Sequence, residues 1–466
     1  MKVEEVRENS DSIVLAPQQP SKLKTSVALA AMTIGCFSFG VNEFLMAGLL
    51  PNIESTFDVS VSKAGWVTTS FMIGLAVSAP TVTVLTVNAP RKYVLMGLLS
   101  LLMGASVMTA ASPNFNTLMV ARALSACGHA SYMGVGSYVA SQLVPKEYQV
   151  RASAVFFSGL TLALAVGVPL GTLLADKANW RLLYWIVVGL AGASLLGVTF
   201  LVPSNIEIPV SNIKKALGIY RHGPVWMAIG ATAFGYSGML ASHTYFSNMM
   251  IDLAGYKKSD LSWLTCVYGV GTALGNLTGG RLADWNLNKA ICGLMLSLAS
   301  VLTGFYWAAD YKVFATIALF LNGFTGFSLV APLMQYIAAK AGADEKIMAS
   351  ATGISAFGAG IGLGVYLSGL AISKNQGYSS PNWVGASLTM FGLLFVVLNE
   401  CCCSSVSLTA NIKPSAGATG QAVRKSSKEL SLLFNSDRRN SYDEDALVHV
   451  AGRGDETGNA QTPRVG

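Results

Sequence analysis

The chain has 466 residues, of which 52% are hydrophobic and 12% charged, with a formal net charge of +7 and seven cysteines. Soluble domains carry about a quarter charged residues, so this composition excludes an ordinary soluble globule and points to a membrane protein. The positive balance does not indicate nucleic-acid binding, because Lys and Arg fall mostly in short loops and tails between apolar runs.

Residues 1–25 are polar, with Lys2, Arg7, Lys22 and Lys24, and read as a disordered N-terminal segment. The first apolar run comes late, is long and lacks a small-residue cleavage pattern, so it is expected to stay as a spanning helix rather than to be removed as a signal peptide. A span needs about 20 apolar residues. About twelve such runs follow in order, near 26–49, 64–87, 93–111, 117–141, 153–175, 182–203, 224–250, 260–283, 289–309, 313–339, 347–372 and 383–403. Turn-like or charged residues separate them, among them Pro51-Asn52, Asn88-Ala89-Pro90, Ser112-Pro113-Asn114 and Pro145-Lys146-Glu147. The predicted fold is therefore all-α and polytopic.

Positive residues set orientation. With the N-terminus in the cytoplasm, the inner loops hold Arg91, Lys92, Lys146, Arg151, Lys214, Lys215, Arg221, Arg281, Lys289, Lys340 and Lys346. The outer loops hold Lys63, Lys177, Arg181, Lys257, Lys258, Lys312 and Lys374. An even number of spans puts both termini inside, in a plasma or inner membrane. The region from 404 to 466 is rich in Ser, Gly and Asn and reads as a disordered cytoplasmic tail. Its Arg453-Gly454-Asp455 triplet would meet no extracellular receptor there, and Arg438-Arg439-Asn440-Ser441 is a low-specificity phosphorylation pattern. Asn276-Leu277-Thr278 fits a glycosylation pattern but falls within a predicted span. Cys36, Cys127, Cys266 and Cys292 lie in apolar runs without metal-ligand spacing and are expected to be buried. The triplet Cys401-Cys402-Cys403 follows the last run and is a candidate for S-acylation.

The chain repeats itself. SKAGWVTTSFMIG (Ser62–Gly74) aligns without gaps on SDLSWLTCVYGVG (Ser259–Gly271), pairing Trp66 with Trp263, Thr68 with Thr265 and Gly74 with Gly271. The register continues to Lys92 on Lys289, and Phe39-Gly40 and Phe234-Gly235 precede at nearly the same offset. Two six-helix halves, 26–203 and 223–403, joined by a cytoplasmic linker at 204–222, are the expected organisation. Such repeats are a transporter design with the substrate site between the halves near the membrane midplane.

Ionisable residues within spans are costly and mark function by default. Here they are Glu43, Arg122, His129 and His243. At about 1.5 Å rise per residue, Glu43 and Arg122 both come about 8–10 Å below the outer ends of their helices, so the two are expected to pair. His129 lies about two turns beyond Arg122 on the same helix face. Desolvation and a nearby Arg pull a carboxylate's proton affinity in opposite directions, which suits a group that loads and releases a proton. The same pair also serves as a purely structural lock, and the residues alone leave both roles open. For His129 and His243, hydrogen-bonded packing stands beside proton carriage. In GLTLALAVGVPLGTLL (Gly159–Leu174), Pro169 between Gly167 and Gly171 is expected to kink or loosen the helix. No GxxxxGK[ST] sequence, metal-ligand cluster or nucleophile elbow stands out, so neither an enzyme nor a metal or other cofactor is expected.

These features together resemble the major facilitator superfamily, in particular the twelve-span drug:proton antiporter group and its arabinose-efflux-type sugar and drug permeases, over residues 26–403. NEFLMAGLLPNI resembles that group's first-helix signature, with Glu43 in the acidic position. GGRLAD (Gly279–Asp284, with Gly280, Arg281 and Asp284) and the following Lys289 resemble the loop motif between helices 8 and 9. LMVARALSACGHA (Leu118–Ala130) resembles the helix-4 motif, AVGVPLGT (Ala165–Thr172) the helix-5 antiporter motif, and NWRLLYW (Asn179–Trp185) the opening of helix 6. The resemblance implies proton-coupled efflux of a small organic molecule by alternating access, with Glu43 carrying the proton and Arg122 tuning it. Phe39, Asn42, Phe44, Met72, Phe234, Tyr236, His243 and Tyr245 are the candidates to line the substrate site. The expected partners are a small-molecule substrate, protons and the lipid bilayer, with no nucleic acid, and the expected state is a monomer. Two departures stand out. The 2–3 loop reads TVTVLTVNAPRK (Thr81–Lys92), with Val87 or Asn88 where an acid would stand, and Val168 separates Gly167 from Pro169 in the helix-5 motif. An uncoupled sugar or nucleoside facilitator, and a receptor or scaffold acting through the C-terminal tail, are the alternatives.

Overall fold

The computed structural model describes residues 22–206, 215, 217–342 and 345–410. Of the segments expected to be disordered, 1–25 and 404–466, residues 22–25 and 404–410 are helical and the rest lie outside the described residues, as do the patterns at 438–441 and 453–455 and residues 207–214 and 216 of the 204–222 linker. Within them the chain is helical with no strand. Twelve rods follow in order. They are α1 (Lys22–Phe57), α2 (Val61–Thr86), α3 (Arg91–Ala110) and α4 (Phe115–Cys127 continued by His129–Gln142). Next come α5 (Gln149–Leu162, a π turn Ala163–Gly167, then Val168–Lys177), α6 (Arg181–Leu201), and α7 (Gly223–Thr244 with Phe246–Asn248 and a π turn Met249–Leu253). The remainder are α8 (Leu261–Trp285), α9 (Leu287–Ala308), α10 (Lys312–Ser328 and Val330–Lys340), α11 (Lys346–Ser373) and α12 (Ser380–Ala410). Among the described residues, nine of these are long and apolar enough to cross a membrane. The other three, α4, α7 and α8, are broken or diluted by polar and small residues.

The helix starts follow ordinary capping chemistry. Ser60, Asn114 and Asn286 each accept a backbone N–H three residues on, from Lys63, Thr117 and Lys289. The first helix departs from its expected end. Pro51-Asn52 was expected to close it near residue 49, yet α1 runs through Pro51 to Phe57, and the turn comes at Asp58, in a left-handed conformation (φ 50°). A proline costs one helical hydrogen bond, and α1 has tertiary partners on several sides to hold it.

The internal repeat is visible at the level of single contacts. Asp58 between α1 and α2 and Gly255 between α7 and α8 both have positive φ. Gly74 of α2 lies against the carbonyl of Ala123 in α4, and Gly271 of α8 lies against the carbonyl of Phe320 in α10. These pairs occupy the same register of the repeat. A side chain at either glycine would push two backbones apart, so the glycines set the helix spacing.

The 2–3 loop, which lacks the expected acid, is closed another way. Arg91 donates through Nη1 to the Thr86 carbonyl at 2.9 Å and through Nη2 to the Val87 carbonyl at 2.8 Å, and is buried. It satisfies the open carbonyls at the end of α2. Arg91→Ala is expected to lower stability by about 2–3 kcal/mol, since two buried carbonyls lose a charged donor. Arg91→Lys should recover only part of this, because an ammonium cannot fork to both carbonyls. Thermal unfolding in detergent measures both.

Tryptophans mark the membrane-facing surface. Trp66, Trp185, Trp226, Trp263, Trp285, Trp307 and Trp383 are exposed, whereas Trp180 is buried, with its Nε1 donating to Thr56 Oγ1 at 3.0 Å. Of the four cysteines expected to be buried, Cys36 is buried, Cys127 and Cys292 are partly buried, and Cys266 is exposed. Burial in a membrane protein separates the bundle interior from lipid, and an apolar sequence does not tell the two apart.

Candidate functional site

Glu43 sits in α1 about 21 Å along the helix from its end at Phe57, deeper than a helix ending at 49 would place it. It does not pair with Arg122. Its Oε2 lies 3.2 Å from Nε2 of His129, and the two side chains are 10% and 8% exposed. The correction follows from the helix length. Extending α1 by about two turns moves the level of Glu43 along α4 by about the same amount, from Arg122 to His129. A neutral imidazole protonated at Nε2 donates to the carboxylate, and Nδ1 then has a lone pair with no partner among the described residues. The ring is held on two sides, by Phe39 at 5.6 Å and Phe71 at 6.2 Å between centroids, both edge-on.

Arg122 is fully buried and binds one residue away from the acid. Its Nη1 donates to the Asn42 carbonyl at 2.6 Å and to Asn42 Oδ1 at 3.1 Å. Its guanidinium lies 4.5 Å from the centroid of the Phe71 ring, a cation–π geometry. It remains within electrostatic reach of Glu43. The N-terminal half therefore carries a buried carboxylate, imidazole and guanidinium around α1 and α4. In repeat register, Arg122 corresponds to Leu319 and His129 to Gly326, so the C-terminal half has no copy of these groups.

The substrate-site candidates divide. Phe44 faces Phe327 of α10 at 6.0 Å, and Tyr236 meets Phe327 at 6.5 Å and Phe357 of α11 at 4.6 Å. These four rings form a continuous aromatic surface joining the two halves beside Glu43. Phe327 and Phe357 were not singled out in the sequence, where nothing separates them from other aromatic residues in spans. Met72 is buried in the seam between α2 and α11, with its carbonyl against Gly358.

Three candidates lie elsewhere. Phe234 turns away, packing on Phe391 and Phe395 of α12 at 4.9 and 5.7 Å, where Phe391 is exposed at the outer surface. Tyr245 is wedged into the α2–α11 seam, its hydroxyl donating to the Val365 carbonyl at 3.1 Å and lying against Gly65 and Gly369. There it borders a cavity of about 280 Å³ with Ser62, Trp66, Thr69 and Tyr366. His243 is stacked between Phe246 at 4.8 Å and Tyr268 at 3.7 Å.

The conformational motifs also find places. Gly167 and Gly171 pack on Val41, Phe37 and Leu45 of α1, and Pro169 stands one residue, Val168, beyond the π turn of α5. In the 8–9 motif, Gly280 has open space around it, and Arg281, Asp284 and Lys289 are exposed. Arg281 makes a long bond of 3.5 Å to the Leu277 carbonyl. Beside them, Lys340 pairs with Glu400 at 2.8 Å, and Tyr336 donates to the same oxygen at 3.0 Å. The sequence did not point to that pair.

The halves meet along α2 and α11, α5 and α8, and α1 and α7. Thr69 and Met72 of α2 face Gly362 and Gly358, and Gly269 of α8 lies against the Leu164 carbonyl of α5. Hydrogen bonds join α1 to α7, where Ser247 Oγ donates to the Ala47 carbonyl at 2.7 Å and Asn248 Nδ2 to Glu54 Oε1 at 3.1 Å. Ser355 Oγ of α11 donates to the Ala76 carbonyl of α2. These contacts run from the end of the bundle bearing the α1–α2 turn down to about the level of Glu43.

A helical bundle of two repeated halves with buried charge beside their seam is the build of a multi-pass membrane transporter. A profile described as Major Facilitator Superfamily matches residues 32–258 and 243–400, and the chain belongs to that family. It is 31% identical over 377 residues to the inner membrane transport protein YdhP of Escherichia coli K12, covering 81% of this chain and 97% of the relative. It is 27% identical to the chloramphenicol resistance protein of Streptomyces lividans, covering 78% of this chain and 94% of the relative. A crystal structure of a bacterial homologue of the human lysosomal transporter Spinster, described as inward-facing and unoccupied, shares the fold with a TM-score of 0.61. It is 15% identical and covers 82% of this chain and 96% of its own. The chain is a transporter and not an enzyme.

Proposed function

We propose that this transporter exports a small organic molecule, drug-like or sugar, in exchange for protons by alternating access, with Glu43 as the proton carrier. The observation that carries this is the Glu43–His129 pair, buried in α1 and α4 of one half only. A carboxylate with a single imidazole partner in an apolar surround changes its proton affinity strongly when water reaches it. Its helix, α1, is also a helix that binds across to the other half. Arg122, fixed on Asn42, keeps a positive charge near the carboxylate without neutralising it by direct pairing. Phe44, Tyr236, Phe327 and Phe357 offer an aromatic surface from both halves, suited to an organic molecule with apolar faces. A chloramphenicol efflux pump of Mycobacterium tuberculosis among the relatives supports efflux of such a compound.

Segments 26–203 and 223–403 are the moving halves, 204–222 is their cytoplasmic linker, and both termini lie in the cytoplasm, as the distribution of Lys and Arg supports. The protein acts as a monomer. The test is transport in proteoliposomes with an imposed pH gradient, with chloramphenicol and a labelled pentose as probes. Coupled export predicts accumulation that follows the gradient and collapses on adding a protonophore. Transport that equilibrates the probe and ignores the protonophore identifies an uncoupled facilitator instead.

A further inference from the structure

Among the prolines inside helices that face the other half, Pro51 in α1 and Pro80 in α2 lie in unbroken α-helix, whereas Pro169 in α5 follows a π turn. Proline has no N–H, so the carbonyl four residues earlier loses its helical donor. Those carbonyls belong to Ala47 and Ala76. Each receives a hydrogen bond from a serine of the opposite half, Ser247 to Ala47 at 2.7 Å and Ser355 to Ala76. Other buried serines bond within their own half instead, back to their own helix as Ser38 does to Ile34, Ser70 to Val67 and Ser125 to Arg122, or to a neighbouring helix as Ser242 does to Asn382 and Ser328 to the Gly275 carbonyl. A further mid-helix proline, Pro332, frees the carbonyl of Ser328, which lies against Gly279 of its own half. The pairing of a proline-freed acceptor with a serine across the seam thus occurs on both α1 and α2.

We propose that Ala47–Ser247 and Ala76–Ser355 are two releasable latches that hold the halves together between the α1–α2 turn and the level of Glu43, Ala47 about 15 Å and Ala76 about 22 Å from the turn end of their helices. The physical basis is the difference between an ordinary helical carbonyl and a freed one. An ordinary carbonyl already has its N–H and is indifferent to a second donor. A freed carbonyl in a dry seam is left unsatisfied unless the serine is present, and an unmade buried hydrogen bond is costly. When the seam opens, water takes the serine's place, so release leaves no orphan. The prolines therefore make closure dependent on two particular hydroxyls while keeping opening inexpensive.

The latch rests on the alternating-access reading, and the test separates the two. Fluorophores are placed by non-canonical amino acids at positions 63 and 374, both exposed and at the ends of α2 and α11. Energy transfer is measured in the full chain in lipid nanodiscs without substrate. Ser247→Ala is expected to raise the open-to-closed ratio about fivefold, the effect of one hydrogen bond. Pro51→Ala restores the N–H to the Ala47 carbonyl, so in that background Ser247→Ala should change the ratio less than about twofold. Ser355→Ala and Pro80→Ala should behave in the same way. The thermal midpoints of the same variants supply a second cycle that needs no opening. Two populations with serine effects that are equal in both backgrounds overturn the latch and leave alternating access standing. A single immovable population with coupled thermal midpoints overturns alternating access at this seam and leaves the proline–serine pairing standing. Serine variants without effect in either measurement overturn the proposal.

Discussion

Glu43→Gln is expected to leave exchange of substrate across the membrane intact and to abolish its response to a pH gradient. The substitution preserves shape, and the amide oxygen still accepts from Nε2 of His129, 3.2 Å from the carboxylate in the native chain. What it removes is the choice between a charged and a neutral side chain. For one-for-one exchange, a gradient of one pH unit sustains about a tenfold concentration ratio of substrate, since each unit is worth about 1.4 kcal/mol. The variant should hold that ratio near one at every gradient while still equilibrating labelled substrate. A variant that concentrates substrate as the native protein does would show that another group carries the proton. His129→Gln keeps a donor beside the carboxylate without the ring's own titration. It should move the pH at which transport is half-maximal without removing the response, which separates a partner that tunes Glu43 from one that relays its proton.

Gly360→Val is expected to prevent assembly of the C-terminal half. A Cβ at this position in α11 would run into the carbonyl oxygen, carbonyl carbon and Cα of Ala233 in α7, all backbone atoms that no rotamer change can move aside. Overpacking a side chain costs about 1–3 kcal/mol, and more where backbone must shift. Here two spanning helices must separate along their length. The expected result is little or no monodisperse protein after solubilisation, or a midpoint lowered by more than about 10 °C in what survives. Gly97→Ala in α3 is the matched comparison, because nothing lies within 4 Å of that position, and it should behave as the native chain. If Gly360→Val is as stable as Gly97→Ala, the close approach of α7 and α11 does not hold in the membrane.

The helix count, the two halves and the repeat were legible because each follows from residue types at fixed spacing. Twelve apolar runs and the match of Ser62–Gly74 to Ser259–Gly271 are local facts of the sequence. The partner of Glu43 was not legible, because it depended on where α1 ends. Pro51 next to Asn52 has the chemistry of a break, and only tertiary packing carries the helix past it. That single boundary moved the inferred partner from Arg122 to His129. Phe234 and Tyr236 show the same limit at shorter range. They are two residues apart on one helix, so they point in different directions. One meets the aromatic surface between the halves and the other meets α12. Around these two positions Ala231, Ala233, Gly235 and Gly238 surround the rings with small apolar residues, which do not distinguish inward from outward. The acceptors at Ala47 and Ala76 were latent in Pro51 and Pro80, but their donors lie about 200 residues or more away in sequence, beyond any local pattern.

The exposed tryptophans have a consequence for the lipid. Trp263 and Trp285 sit at the two ends of α8, both on its outer surface. Their separation along the helix is about 33 Å at 1.5 Å per residue, close to the roughly 30 Å of a bilayer's hydrocarbon core. Indoles prefer the boundary between headgroups and acyl chains, so α8 carries a gauge at each interface. A bilayer several ångströms thinner cannot seat both rings with the helix upright, and tilting α8 would carry Gly269 with it, away from Leu164 on α5. Membrane thickness thereby enters the balance between the two halves, and the chain should work best in a bilayer whose width matches the span of α8.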